Sequence, residues 1–261
     1  MNNVRFSANI SLLFTEYALL DRFELARRAG FDAVEIQFPY NTPLDLLVRA
    51  KEQTGLDIAL INLPAGDLME GGEGLAAVPE RTEQFAQALE IGVRYATALQ
   101  VQSVNVLPGR CHAPQRREEY LETFHQNLKR TADHFHPSGI ITTFEAINTF
   151  DMPGFLIHNF EQMQATLDAV HHPGLAMQYD IYHMSRMGEP VEQQLLALGE
   201  CMGHIQFADL PDRGQPGSGT LDFERLFSTI AESNYHGWVG AEYMPQCGTQ
   251  NSLGWLGNRA S

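Results

Sequence analysis

Short apolar runs alternate with longer amphipathic stretches along this chain. The runs fall at residues 5–10, 33–38, 58–62, 103–107, 140–145, 175–180, 204–208 and 238–242. Their length and content of Val, Ile, Phe and Ala predict buried strands. Between them, residues 20–29, 82–98, 120–134 and 160–170 repeat apolar side chains at helical spacing. Asn159 stands where an N-cap is wanted, with Gln162 three residues on as its capping-box partner. Gly30, Gly55 and Gly139 each follow a helix pattern, at the position that favours a left-handed residue. Residues 249–256 predict a short final helix.

Strict alternation of strand and helix implies parallel strands joined by crossover helices. Eight such strands favour an α/β fold closed into a (β/α)8 TIM barrel, and 261 residues match its usual size. An open doubly wound sheet would want a glycine-rich turn after its first strand, whereas Ile10 is followed by Ser-Leu-Leu-Phe-Thr. No linker breaks the alternation, so residues 1–261 read as one domain, ending in a frayed tail at 257–261.

Applied to the second half, strand alternation isolates a candidate site. Ile140, Thr142 and Phe144 share one face, which leaves Glu145 on the other. By the same rule Asp180, Gln206 and Glu242 point inward from the next three strands. Each sits at or near a C-terminal strand end, the face that carries the active site in this architecture. A lone Glu at a strand end is more often a cap or an ion-pair partner; four oxygen-bearing groups in register are not explained that way. Three buried carboxylates without a compensating charge would cost several kcal/mol each. A bound cation removes that cost, and an all-oxygen donor set suits Mg2+ or Mn2+ rather than structural zinc.

Charge narrows the partners. The chain has 32 acidic residues against 17 basic ones, a formal charge of -15. Its densest basic pair, Arg116-Arg117, is followed at once by Glu118-Glu119, so a nucleic acid partner is not expected. Cys111, Cys201 and Cys247 are odd in number and far apart, without a CxxC pair, which fits a reduced, cytoplasmic compartment. The N-terminus lacks the long apolar run of a signal peptide, and no run reaches membrane-spanning length. A small molecule is the expected partner, and self-association into a homo-oligomer stays open.

Several segments together resemble the hydroxypyruvate isomerase family, among the xylose-isomerase-like barrels that include ketose 3-epimerases and endonuclease IV. They are Arg5-Phe6-Ser7-Ala8-Asn9, Phe38-Pro39-Tyr40, Asn62-Leu63-Pro64-Ala65-Gly66-Asp67, Glu145-Ala146-Ile147-Asn148, Asp151-Met152-Pro153-Gly154-Phe155, Tyr179-Asp180-Ile181-Tyr182-His183-Met184, His204-Ile205-Gln206, Arg213-Gly214-Gln215-Pro216-Gly217 and Gly237-Trp238-Val239-Gly240-Ala241-Glu242-Tyr243. The resemblance implies that Glu145, Asp180, Gln206 and Glu242 hold the metal and that Glu145 and Glu242 form the acid/base pair. It further implies that His183 and Arg213 bind substrate. Ile61, Ala146 and Thr220 depart from the family pattern, which loosens substrate identity more than reaction type.

The expected reaction interconverts hydroxypyruvate and 2-hydroxy-3-oxopropanoate through an enediolate, with a metal as Lewis acid. Arg213 suits an anionic carboxylate. Asn62, Asn105 and Asp151 are further substrate-binding candidates. Gly66, Gly71, Gly72 and Gly74 would free a lid or merely shape a surface loop. Residues 214–219 resemble a phosphate cradle only loosely, lacking a Walker-type Lys-Ser/Thr. The rivals are an isomerase of a longer oxo-acid such as 2-oxo-tetronate, a ketose 3-epimerase, a DNA-repair nuclease and a non-catalytic small-molecule binder. The pocket behind Phe38, Tyr40, Ile61 and Leu63 is expected to separate the first two from the smaller substrate.

Overall fold

A computed structural model of the chain describes residues 4–257. Residues 1–3 and most of the predicted tail at 257–261 lie outside the described residues. Eight parallel strands close into a barrel, each paired to the next and β8 to β1. They are β1 (Arg5–Asn9), β2 (Ala33–Ile36), β3 (Asp57–Asn62), β4 (Ser103–Asn105), β5 (Ile141–Glu145), β6 (Leu175–Asp180), β7 (Met202–Phe207) and β8 (Trp238–Ala241). The crossovers carry α1 (Leu19–Arg28), α2 (Leu44–Thr54), α3 (Thr82–Leu99), α4 (Arg117–Phe135), α5 (Phe160–Val170), the pair α6 (Ile181–Arg186) and α7 (Val191–Leu198), and α8 (Phe223–Glu232).

Local signals set the helix ends. Asn159 Oδ1 accepts from the Gln162 backbone at 2.9 Å, as its N-cap position predicts. The Gln162 side chain reaches back to the N–H of His158 rather than of the cap residue, a capping box displaced by one. Gly55 closes α2 in the left-handed region at φ 67°, and Gly139 ends the turn after α4 at φ 72°.

The expected last helix is absent among the described residues. Two 3-10 turns, Gln250–Ser252 and Gly254–Leu256, stand in its place. The segment is short, Gly254 interrupts it and Gly248 and Gly257 flank it, so an i→i−4 ladder has too few residues to nucleate. Trp255 does the packing instead, edge-on to Phe6 and Phe207 at 5.2 and 5.1 Å between ring centroids.

Two register shifts decide what faces inward. Opposite β2, the register passes from Val34↔Ile58 to Glu35↔Leu60, so Ala59 is the extra residue of a bulge. Alternation is thereby re-phased, and Asn62 joins the inward-facing set. A second shift sets Met177↔Met202 beside Gln178↔His204, which sends His204 and Gln206 inward. Ile61 and Leu63 instead enter the main core between strands and helices, and Tyr40 packs on it. The expectation that these three shape the pocket is therefore corrected, while Phe38 does line it. At the N-terminal end, Ala33, Ala59 and Trp238 form a floor, with Arg5 stacked 3.8 Å over the indole.

Candidate active site

Above that floor the barrel interior holds two polar tiers. The lower is built around Glu35, which is fully buried. It accepts from Ser7 Oγ at 2.5 Å, His204 Nε2 at 2.8 Å, Gln206 Nε2 at 2.8 Å and, more weakly, Asn9 Nδ2 at 3.4 Å. Burial pushes the Glu35 carboxyl up, but His204 and the hydrogen bonds outweigh it and leave the group below its ordinary value. Gly240 is required beside it, because a Cβ there would collide with Glu35 Oε1.

The upper tier collects the predicted site at the C-terminal strand ends. Glu145 and Asp180 close β5 and β6, and Glu242 follows β8 by one residue. Asp180 also caps α6, its Oδ1 accepting from the Tyr182 N–H at 2.8 Å. That leaves Oδ2 buried without a hydrogen-bond partner, 3.5 Å from both His183 Nε2 and Arg213 Nη2. Asn105 Nδ2 holds Glu145 Oε1 at 2.8 Å. Asn9 and Gln37 hold Glu242 Oε1 at 2.8 and 2.9 Å, while Arg213 Nη2 donates to Oε2 at 2.5 Å. Arg213 is presented by a left-handed backbone, φ 56°, a strained conformation of the kind that gathers at functional sites.

Here all three carboxylates sit above their ordinary values. Burial drives Glu145 well up, and the charges of Glu242 and Asp180 add to it. Asp180 is pushed up to about 7 by burial and Glu242, against the pull of Arg213. Glu242 rises through burial, although Arg213 opposes it. His183 is lowered well below its usual range by burial and the charges of Arg213 and Arg186, so it is neutral.

These residues fit a divalent cation. Three buried oxygen donors with raised pKa values, one carrying an orphaned oxygen, are what a bound cation would relieve. Glu145, Asp180 and His183 place candidate ligand atoms within 4.8 Å of one another, and Arg213 links Glu242 to Asp180. Gln206 is turned elsewhere: its Oε1 accepts from Gln178 at 2.7 Å and its amide nitrogen donates to Glu35.

The other candidates divide. Asn62, Asp151, His183 and Arg213 line a cavity with Glu145 and Glu242, together with Gln37, Phe38, Met69, Leu107, Ile147 and Met152. Asn105 lies off the cavity lining and reaches the site through Glu145 and Asn62. The loop carrying Gly66 to Gly74 is pinned, with Asp67 Oδ1 accepting from Gly74 and Arg81 at 3.0 and 2.7 Å. In the loop at 214–219, Asp209 accepts from the backbone of Gly217, Gly219 and Leu221 at 3.1, 2.8 and 3.0 Å. That carboxylate fills the space a phosphate would need, so the phosphate-cradle likeness is superficial.

Known proteins share this fold and much of this sequence. A family profile described as the xylose isomerase-like TIM barrel matches residues 23–259. Hydroxypyruvate isomerase of Escherichia coli K12 is 40% identical over 97% of this chain and 98% of its own length. A 2-oxo-tetronate isomerase of Pectobacterium atrosepticum is 35% identical over 96% of both chains. The crystal structure of a protein from Brucella melitensis, called AP endonuclease, family 2, aligns with a TM-score of 0.93 at 35% identity over 97% of this chain and 98% of that one. The closed barrel and the profile match thus define a xylose isomerase-like TIM barrel. Within that class, the chain belongs to the hydroxypyruvate isomerase family. No helix of the described residues is long and apolar enough to cross a membrane.

Proposed function

We propose that this chain is a divalent-cation-dependent isomerase that converts hydroxypyruvate to 2-hydroxy-3-oxopropanoate. The observation that carries the reading is the buried carboxylate cluster, with its unpartnered Asp180 Oδ2, set beneath a cavity whose cationic group is Arg213. Identity of 40% to an enzyme of that name supports the substrate. Glu145, Asp180 and Glu242 would hold Mg2+ or Mn2+; Gln206 could join them only by exchanging its Gln178 hydrogen bond. Bound there, the cation supplies Lewis-acid stabilisation of charge developing on the substrate oxygens.

The residues of the chain account for the rest. A proton must leave C3 of hydroxypyruvate and return to C2, while a hydroxyl proton passes from O3 to O2. Glu145 and Glu242 both border the cavity, one to take the C3 proton and the other, or the same group, to return it. Asn105 anchors one oxygen of Glu145 and so aims the carboxylate. Arg213 binds the substrate carboxylate, and His183 donates to a reacting oxygen. Phe38, Leu107, Ile147 and Met152 keep water from the intermediate.

A longer oxo-acid is the second reading, favoured by 35% identity to a 2-oxo-tetronate isomerase. The endonuclease name of the Brucella protein raises DNA repair, which a formal charge of -15 opposes. The test is an NMR time course on hydroxypyruvate in D2O, with and without EDTA, repeated on 2-oxo-tetronate. The expected result is cation-dependent conversion with deuterium entering the product at C2. Absence of conversion by cation-loaded protein on both substrates would overturn the proposal.

A further inference from the structure

We infer that Asn148 is a positioning residue that fixes the tautomer of His183, making Nε2 a permanent hydrogen-bond donor and not a metal ligand. Backbone N–H groups can only donate, and those of Phe150 and Asp151 both point at Asn148 Oδ1, at 3.1 and 2.9 Å. The oxygen end of the amide is thereby identified, and Nδ2 is the other end. Nδ2 carries two hydrogens. One goes to Asp151 Oδ2 at 2.9 Å and the other to His183 Nδ1 at 2.7 Å. Asp151 Oδ2 also accepts from Tyr182 Oη at 2.9 Å, which keeps that carboxylate in place.

Because Asn148 donates to Nδ1, that nitrogen must offer a lone pair. A neutral imidazole has one N–H, so it resides on Nε2. Nε2 is the atom facing the reaction centre, 3.5 Å from the unpartnered Asp180 Oδ2. A histidine that binds a metal through Nε2 needs the reverse arrangement, with Nδ1–H donated to an acceptor such as a carboxylate or a carbonyl. Asn148 supplies the wrong partner for that. Although His183 lies within ligand distance of Glu145 and Asp180, its hydrogen-bonding assigns it to substrate. Asn148 and His183 are both buried, so water cannot substitute for the amide. The tautomer stands independently of the proposed reaction; only its catalytic consequence rests on the isomerase reading.

The test is nitrogen–proton correlation NMR on full-length protein labelled with 15N-histidine, in EDTA and with Mg2+. The signals of His183 are identified by their loss in His183→Gln. The expected spectrum is that of the Nε2–H tautomer in both conditions. A Nδ1–H pattern in either condition overturns the inference, and the measurement needs no substrate. The Asn148→Asp variant replaces the donor by an acceptor and is expected to move the proton onto Nδ1. With that change, kcat on the substrate established by the time course should fall about 10–100-fold with KM little altered. An unchanged tautomer in folded Asn148→Asp would equally overturn the assignment, and the wild-type spectrum decides alone if that variant does not fold. A protein that shows the Nε2–H tautomer yet isomerises neither oxo-acid would sink the function and leave this inference standing.

Discussion

The two polar tiers of the barrel hold the same kind of side chain, buried alike, yet they are built to opposite ends. Glu35 in the lower tier and Glu145, Asp180 and Glu242 in the upper are all buried carboxylates. Around Glu35 the donors outnumber the charges: a hydroxyl, an imidazole and amides converge on one carboxylate, which is held below its ordinary pKa. Above it, three carboxylates share one guanidinium, and all three are pushed up. The first arrangement is self-sufficient. The second is electrostatically incomplete, and the proposed cation would supply the missing charge. Burial alone marks neither as functional; the ratio of donors to carboxylates does.

The sharpest way to break this comparison is to neutralise one carboxylate in each tier. Glu145→Gln or Glu242→Gln removes a proposed acid/base group, and turnover should fall about 10^2–10^4-fold. For Glu145 the same change relieves repulsion from Glu242 and Asp180 in the cation-free protein, so the melting temperature of that variant should hold or rise. Isomerase assays at verified cation content, paired with melts in EDTA, check both halves; near-native turnover would remove the residue from the chemistry. In the lower tier the pattern reverses. Glu35→Ala strands His204 and should cost about 3–5 kcal/mol by urea unfolding. Gly240→Ala attacks the same contact from β8 and should cost about 1–3 kcal/mol, since Glu35 must give way to the added methyl.

Arg213 belongs to the upper tier by position and, under the proposed function, to the substrate by chemistry. Removing its charge-assisted contact to an anionic ligand is worth about 1.5–3 kcal/mol, or roughly 10–150-fold. Arg213→Ala should show that change mainly in KM, by steady-state kinetics across substrate concentration. An unchanged KM would mean that the guanidinium serves only to neutralise Glu242 and Asp180.

How much of this was legible beforehand depends on which half of the chain is considered. Parallel strands, barrel closure and the inward aim of Glu145, Asp180, Gln206 and Glu242 all follow from alternation. Applied equally to Ala33-Val34-Glu35-Ile36, that rule would also have placed Glu35 inside and exposed the lower tier. With Glu35 in view, Gln206 acquires a competing partner directly below it, which its place in β7 does not disclose. The bulge at Ala59 could not be read, because a one-residue slip leaves the apolar run of β3 intact while exchanging its faces. That slip moves Ile61 out of the pocket and Asn62 into it. Asn148 left little mark in the sequence for a different reason: its function is a direction of donation, set by two backbone N–H groups that only the folded turn brings to its oxygen.

The smallest effect separates the tiers by pH. In the cation-free protein the upper carboxylates have raised folded pKa values, so they hold protons that the unfolded chain has already released. Their contribution is fully present below the unfolded values near ~4 and is lost as pH rises, through about 7 for Asp180. Glu35 has the opposite sign: its lowered value stabilises the fold above ~4.3 and that contribution is lost on further acidification. Thermal melts in EDTA should therefore decline from pH 5 to pH 8, and Mg2+ or Mn2+ should restore more at pH 8, where the ligands are free of protons. At a free cation concentration ten times its dissociation constant the gain is ~1.4 kcal/mol, a few degrees in a chain of this size. Glu35→Gln should keep this alkaline decline and alter only the acid limb. Equal cation shifts at both pH values would show that the upper carboxylates are already ionised without a cation, and the contrast between the tiers would fail.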